Sequence, residues 1–479
     1  MHALILAAFA ALFVSEELGA PFFPQHTHLA PVVSIVLTTG ALGVLWLFAA
    51  AQMHALNHDG RAQRVRAVES LASVMRWVLL AVHAGAACLG LLDAIRSVVG
   101  DVIAGDELLA LMPFVLGLCG IEFIVYPVQR RLRDALTIRS LDLGLAVHPY
   151  PPRVRFVWLW MRHHVLFLLV PLTLLLAWAE SCERAISRFG FRDSSDAEAL
   201  QLGAQVIGLI AVFALIPPVL VRIWDTVPLR SGPLRDRLDA LARGHGVGVR
   251  DFLVWRTSGL MLNGAAIGLI RPLRYVVLTD GLLDRLGADE VEAVAAHEIG
   301  HIRHRHTPWL AASVLGSVLV FGTLAGWLTS LFDPGTSGGR IAFGVGVLAT
   351  LGMTLTVLGM VSRRFERQAD AFAARHLSGE RRGSPPVEVS AWAAHAMASA
   401  LTVVAEAHDI IVDRPTFRHG SIERRIRTLA EAVGRRSDQL PADRSARRAQ
   451  RAVLALLVAG CAMVTIDVLL GMGGLGVAH

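Results

Sequence analysis

His297-Glu298-Ile299-Gly300-His301 carries side chains that can do chemistry as a unit. Two histidines four apart on a helix project from one face and can bind a single metal ion. The glutamate beside the first faces the same cleft and can take a proton from water that the metal activates. A hydrolytic metal centre needs three protein ligands and an open position for water. The HExxHxxGxxH continuation does not supply the third ligand, because residue 304 is His and residue 307 is Thr. A carboxylate from a later helix is the alternative. In Ser362-Arg-Arg-Phe-Glu-Arg-Gln-Ala-Asp370, Glu366 and Asp370 lie one helical turn apart, so Glu366 can ligate while Asp370 orients a neighbour. Without the histidine pair they would read as a solvated face beside Arg363, Arg364 and Arg367. His304 and His306 are alternative ligands, but histidines in a last turn more often complement the helix dipole. Zinc is the chemical default for a His, His, Glu set.

The elements that must position these groups follow from pattern. Asp289 and Glu290 suit the N-terminus of a helix over 288–306. Apolar or β-branched runs at 252–255, 260–270 and 274–279, broken by Ser-Gly and Arg-Pro, predict short strands. Segments 232–245, 363–378, 390–407 and 421–433 predict helices, and the arginine-rich stretch 437–451 predicts a linker. No internal repeat is visible.

The chain around this segment is too apolar for a soluble domain. Of 479 residues, 54% are hydrophobic and the mean hydropathy is +0.54. Nine stretches match a bilayer span, at about 1–15, 30–52, 72–92, 108–127, 157–178, 201–223, 309–332, 341–361 and 452–473. The first is short, but it lacks the basic n-region and small-x-small site of a signal peptide. Pro113, Pro171 and the pair Pro217–Pro218 predict kinks. The charge of +6 comes from arginines in loops between apolar runs, so membrane sidedness explains it better than nucleic acid. Loops 53–71 and 128–156 and the long segments 224–308 and 362–451 are arginine-rich; loops 16–29, 93–107 and 179–200 carry excess acid. The positive-inside rule then places the N-terminus and both long segments in the cytoplasm. Arginine without lysine, with abundant Ala, Gly, Val and Leu, suggests a GC-rich bacterial genome. Cys88, Cys119, Cys182 and Cys461 form no CxxC pair and read as buried small hydrophobes. Glu122 inside a span should face a bundle interior or water, and His163 and His164 should sit at the membrane interface.

At the motif level the chain resembles the HtpX-like membrane zinc metallopeptidases, relatives of the CAAX prenyl endopeptidases. The resemblance covers roughly 230–434 and rests on LGADEVEAVAAHEIGH, an apolar hairpin, then SRRFERQAD. It implies that His297, His301 and Glu366 bind one zinc ion per chain and that Glu298 is the general base. The family's Asn-Ala-x-Ala edge strand is matched by Asn263-Gly264-Ala265-Ala266, which implies a substrate-binding strand. Its late His-Pro-x-x-x-x-Arg is matched by His419-Gly420-Ser421-Ile422-Glu423-Arg424-Arg425. That implies that Arg425 pairs with Asp370 and that His419 steadies the oxyanion. The chain departs from the pattern in Gly264 for alanine, Gly420 for proline, and in its extra spans. On residues alone, a turn role for Asn263 and surface positions for His419 and Arg425 are the lesser alternatives.

The expected fold is a mainly α-helical polytopic membrane protein of about nine spans with a cytoplasmic zincin-like metallopeptidase domain containing a small β-sheet. The expected divisions are 1–224 for the N-terminal membrane region and 225–308 for the edge strand and HExxH helix. A transmembrane hairpin follows at 309–361, then a cytoplasmic segment with ExxxD and the late motif at 362–450, then a last span within 451–479. The expected function is a zinc endopeptidase of the bacterial cytoplasmic membrane, cleaving membrane or membrane-associated proteins by Glu-assisted attack of zinc-bound water, in quality control or processing. Its partners would be a protein or peptide substrate and the bilayer, with no nucleic acid. Two other classes compete: a ligand-triggered sensor-transducer protease, and a transporter or scaffold with a vestigial site.

Overall fold

A computed structural model describes residues 1–17, 21–22, 24–59, 61–142, 147–148, 150–188, 195–333, 335–408 and 410–470. The end of the span expected over 452–473 lies partly outside them. The chain forms two compact units, Met1–Asp225 and Thr226–His479.

The first unit is helical: α1 (His2–Glu17), α2 (Ala30–Asp59), α3 (Ala62–Cys88), α4 (Leu91–Val99), α5 (Gly105–Asp142), α6 (Arg153–Met161), α7 (Phe167–Arg188), α8 (Ser195–Leu215) and α9 (Pro217–Ile223). A π-helical turn over Arg162–Leu166 fuses α6 and α7 into one long rod. Leu79, Leu111, Phe114, Leu118 and Ile121 are fully buried and form its core. Glu122 on α5 is buried, and its Oε1 lies 2.7 Å from Nη2 of Arg76 on α3. The expectation that Glu122 faces a bundle interior is met by a partner that pattern reading had not named. An unpaired carboxylate there would be far more costly.

The second unit begins with strand β1 (Thr226–Pro228), followed by α10 (Pro233–Gly244), β2 (Asp251–Trp255), β3 (Gly264–Ile267), β4 (Tyr275–Thr279), α11 (Asp280–Arg285) and α12 (Ala288–Arg303). Then come α13 (His306–Thr329), α14 (Ser337–Leu377), α15 (Ala391–Ala407), α16 (Ile422–Ala432) and α17 (Pro441–Leu470). The sheet has the order β1-β2-β4-β3, with β2 and β4 parallel and the other pairs antiparallel. β3 is therefore an edge. Val276 and Leu278 of β4 pack with Ala293, Ala295, Ala296 and Ile299 of α12 and Phe372 of α14 in one core.

Seven helices among the described residues are long and apolar enough to cross a membrane, or eight if α8 and α9, bent by 50° where Pro217 opens α9, make one span. α1, with 16 residues, reaches only about 24 Å against a hydrocarbon core of about 30 Å, short for the span expected at about 1–15. Three expected elements differ in extent. The helix expected over 363–378 is the end of α14, continuous with the preceding apolar run. The expected linker 437–451 is mostly the first turns of α17, because its apolar positions Ala442, Ala446 and Ala449 are buried. The expected helix 288–306 stops at Arg303, and His306 opens α13, because Arg305 adopts the left-handed conformation at φ 55°. Cys88, Cys119 and Cys182 are half-buried and Cys461 is exposed, so the cysteines do not lie in the core as expected.

Candidate metal centre

α12 is fixed at its start by its own acids. Glu290 accepts the Gly287 N–H at 2.8 Å, and Arg237 of α10 donates to Asp289 at 2.5 Å and to Glu292 at 2.7 Å. Its buried face includes the small residues Ala293, Ala295, Ala296 and Gly300. A Cβ at Gly300 would lie 3.1 Å from the Phe372 ring, so glycine lets α14 come close. That approach brings Glu366, near the C-terminal end of α14, over the two histidines.

His297 Nε2 and His301 Nε2 lie 3.1 Å apart. Glu366 Oε2 lies 3.7 Å from the first and Oε1 3.6 Å from the second. Each of the three residues offers a ligand atom within 4.8 Å of the others. Bonds of about 2.0–2.2 Å to a tetrahedral zinc put neighbouring donors about 3.3–3.5 Å apart, so the donor set fits that ion. His297 and Glu366 are buried and His301 is half-buried. Burial holds the His301 ring well below the usual imidazole pKa, which keeps it in the neutral, ligating form. His297 Nδ1 lies 2.9 Å from Asp370 Oδ1, which leaves Nε2 to face the centre. Burial lowers the His297 pKa, but the Asp370 hydrogen bond and charge outweigh it and the net shift is upward. Asp370 is gripped by Arg425, whose Nε and Nη2 donate at 2.8 and 2.6 Å.

Glu298 points at the sheet edge. Its Oε2 accepts the Ala266 N–H at 2.9 Å, and burial raises its carboxyl pKa. Ala266 is paired with Val276 of β4, yet its N–H turns away from β4 to Glu298. By the two-residue alternation of a strand, Gly264 presents its N–H to the same open side. Asn263 sits just before β3, with an exposed side chain and its backbone bonded to Thr279 at 2.9 and 3.0 Å. Ala265 lies in β3 opposite Val277. His419 is about half exposed and places Nδ1 2.9 Å from Glu366 Oε2, beside the ligand set.

Both departures from the family motifs have a local cause. A Cβ at Gly264 would lie 2.9 Å from Val294 Cγ1 on α12, so the edge strand approaches the helix too closely for alanine as it stands. Gly420 has φ 74° and closes the Thr416–Gly420 bridge that presents His419; proline, locked near −65°, cannot adopt that turn. Two residues escaped pattern reading. Asp280 pins the turn before the edge strand, accepting from the N–H groups of Thr257 and Ser258 at 2.9 and 2.8 Å. His306, read as a dipole partner, lies with its Nδ1 2.9 Å from Nδ1 of His301.

Comparison with known proteins agrees with this geometry. Residues 228–433 match the model of Peptidase family M48. This segment is therefore similar to an M48 peptidase domain. A Protease HtpX homolog from Pyrococcus furiosus is 34% identical over 154 residues, which cover 31% of this chain and 48% of that protein. A CAAX prenyl protease 1 homolog from Arabidopsis thaliana is 32% identical over 192 residues, covering 37% of this chain and 45% of that protein. The chain thus spans about half the length of the curated relatives it matches. Among solved structures, S. mikatae Ste24p aligns over 84% of this chain and 98% of its own, at 14% identity and a TM-score of 0.45. The M48 match ends before α17 and leaves the first unit outside it.

Proposed function

We propose that this chain is a membrane-embedded zinc endopeptidase that hydrolyses peptide bonds of membrane or membrane-associated proteins. The observation that carries the reading is the convergence of His297, His301 and Glu366 beside Glu298, with Glu298 bonded to an open strand edge. Zinc held by these three residues supplies Lewis-acid polarisation of the scissile carbonyl and acidifies water. Glu298 takes the proton of the attacking water and returns it to the leaving amine; its raised pKa suits a group that must hold that proton in between. An extended peptide adds to the open edge of β3 along Asn263, Gly264, Ala265 and Ala266, taking main-chain hydrogen bonds from the strand. Binding in this way displaces the Ala266–Glu298 bond and frees the carboxylate for water. His419, beside Glu366, is placed to donate a hydrogen bond to the developing oxyanion. Arg425 and Asp370 hold His297 in place.

The arginine-rich segments on either side of the α13–α14 hairpin support a catalytic domain on the cytoplasmic side of a bacterial inner membrane. The divisions drawn at 224, 308, 361 and 450 are retained in this reading as the alternation of membrane and catalytic segments. Quality control or processing of membrane proteins is the duty this placement suits. Neither the sensor-transducer nor the scaffold reading gains support from the relatives found.

The test compares wild type with Glu298→Gln in detergent, reading zinc content together with cleavage of casein and self-cleavage. Zinc near one per chain in both, with cleavage at least about a thousandfold lower in the variant, is expected. Equal cleavage by the two proteins, or a wild type that holds no zinc, overturns the reading.

A further inference from the structure

His306 is nearly fully buried at the first turn of α13, stacked face to face on Phe365 with ring centroids 4.3 Å apart. The left-handed residue Arg305 reverses the chain between α12 and α13 and folds His306 back onto His301, five residues earlier. A non-glycine residue in that conformation is strained and persists only where its surroundings enforce it. A chain of buried polar groups continues behind it. His306 Nε2 lies 3.0 Å from Gln368 Oε1, and Gln368 Nε2 donates to Asp443 Oδ1 at 2.7 Å. The other oxygen of Asp443 accepts from Arg375 Nη1 at 2.8 Å.

The hydrogens along this chain follow from its far end. An ionised carboxylate only accepts, so Asp443 requires the Gln368 NH2 to face it. The Gln368 carbonyl then faces His306 and requires the hydrogen on Nε2. The neutral His306 ring has its lone pair at Nδ1, and the 2.9 Å gap to His301 Nδ1 needs one hydrogen, which His301 must carry. His301 is thereby left with a lone pair on Nε2, the atom 3.1 Å from His297 Nε2.

We infer that His306, oriented by Gln368 and Asp443, is a positioning residue that fixes His301 in the tautomer and ring orientation that ligate the metal. The inference rests on the metal-centre reading and deepens it. Asp443 lies at the start of α17, Gln368 on α14 and His306 at the start of α13, so the relay ties the metal ligand to all three span-length helices of the second unit. None of these three residues reaches the substrate edge; their work is on the ligand alone.

The test measures zinc affinity of the full chain in detergent by competition with a chromophoric chelator, and the visible spectrum of the cobalt(II)-substituted protein. His306→Phe keeps the stack on Phe365 and removes the acceptor; Gln368→Met removes the amide at similar length. Both should lose roughly 10- to 100-fold in zinc affinity and shift the cobalt bands, with the melting temperature of the metal-free protein near wild type. His306→Asn, whose amide oxygen can accept from His301, should recover much of the loss. If His306→Phe does not fold, Gln368→Met carries the test. Zinc affinity and a cobalt spectrum in Gln368→Met indistinguishable from a zinc-binding wild type overturn the relay and leave the metal centre standing. A wild type without zinc overturns the metal centre itself.

Discussion

At the residue scale, the site is set by contacts that a methyl group would disturb. Gly264 is the sharpest case. An added Cβ meets Val294 Cγ1 at 2.9 Å and Glu298 Cγ at 3.5 Å, so either the edge strand or the helix of the proposed base has to move. Overpacking of this kind costs about 1–3 kcal/mol. Displacing β3 would shift the strand on which the substrate is proposed to add away from Glu298, whose Oε2 accepts the Ala266 N–H in the free chain. Gly264→Ala should therefore lower kcat/KM roughly tenfold. Adding Val294→Ala removes the opposing methyl and should restore most of the activity. Peptidase assays on the single and double variants check this; an unchanged single variant shows that the strand tolerates alanine and that Gly264 has no steric role. The same scale shows what pattern alone can see. His297, Glu298, His301, Glu366 and Asp370 were legible because helical spacing dictates which side chains share a face. Asp280 and His306 were not: Asp280 grips the Ser258-Gly259 turn from more than twenty residues away in sequence, and His306 folds back across Arg305, a left-handed residue that is not glycine.

At the element scale, α10, α12 and α14 are pinned together by a second buried polar cluster away from the metal ligands. His245, just past α10, has its Nε2 3.0 Å from His376 Nδ1, and His376 Nε2 lies 2.9 Å from Glu292 Oε1 on α12. Burial depresses the His245 pKa to about 3, assisted by His376, Arg381, Arg303 and Arg375 nearby. The unfolded ring titrates near 6.5, so between about pH 6.5 and 3 the unfolded chain binds a proton that the folded chain refuses. This group's contribution is complete above about pH 6.5 and is lost as pH falls toward 3, at up to about 1.4 kcal/mol per pH unit. Metal-free wild type in detergent should melt at progressively lower temperature from pH 7 to 4.5. His245→Phe, which keeps the ring contact with Phe372, should show a shallower decline; parallel curves for the two proteins remove His245 from the cause. Element boundaries were the part of the fold least legible in sequence. Charge on 437–451 masked an amphipathic helix whose buried face is alanine, and β1 is three residues long, too short for periodicity to register.

At the scale of the whole molecule, sidedness constrains the crossings. In the proposed placement, loop 128–156 and the arginine-rich segment 224–308 share one side of the membrane. An even number of crossings must lie between them. Only two candidates exist there among the described residues: the rod Arg153–Arg188, and the bent pair Gly203–Leu215 with Pro217–Ile223. With the rod crossing once, that proposed placement requires the bent pair to cross as well. Its 21 residues reach about 31 Å before the bend is allowed for, close to the hydrocarbon thickness of about 30 Å. A re-entrant pair would instead put the catalytic domain opposite the arginines of 128–156. Single cysteines in a cysteine-free chain separate these cases. An impermeant maleimide applied to intact cells should label Arg188→Cys and Leu331→Cys, and should label Arg131→Cys and Asp438→Cys only after lysis. Equal labelling of Arg188→Cys and Asp438→Cys in intact cells would make the pair re-entrant and move the metal centre to the outer face. There the positive-inside pattern would hold for the first unit and fail for the catalytic domain, whose arginines would then be held by their own buried partners, such as Asp370 for Arg425 and Asp443 for Arg375, and not by the membrane potential.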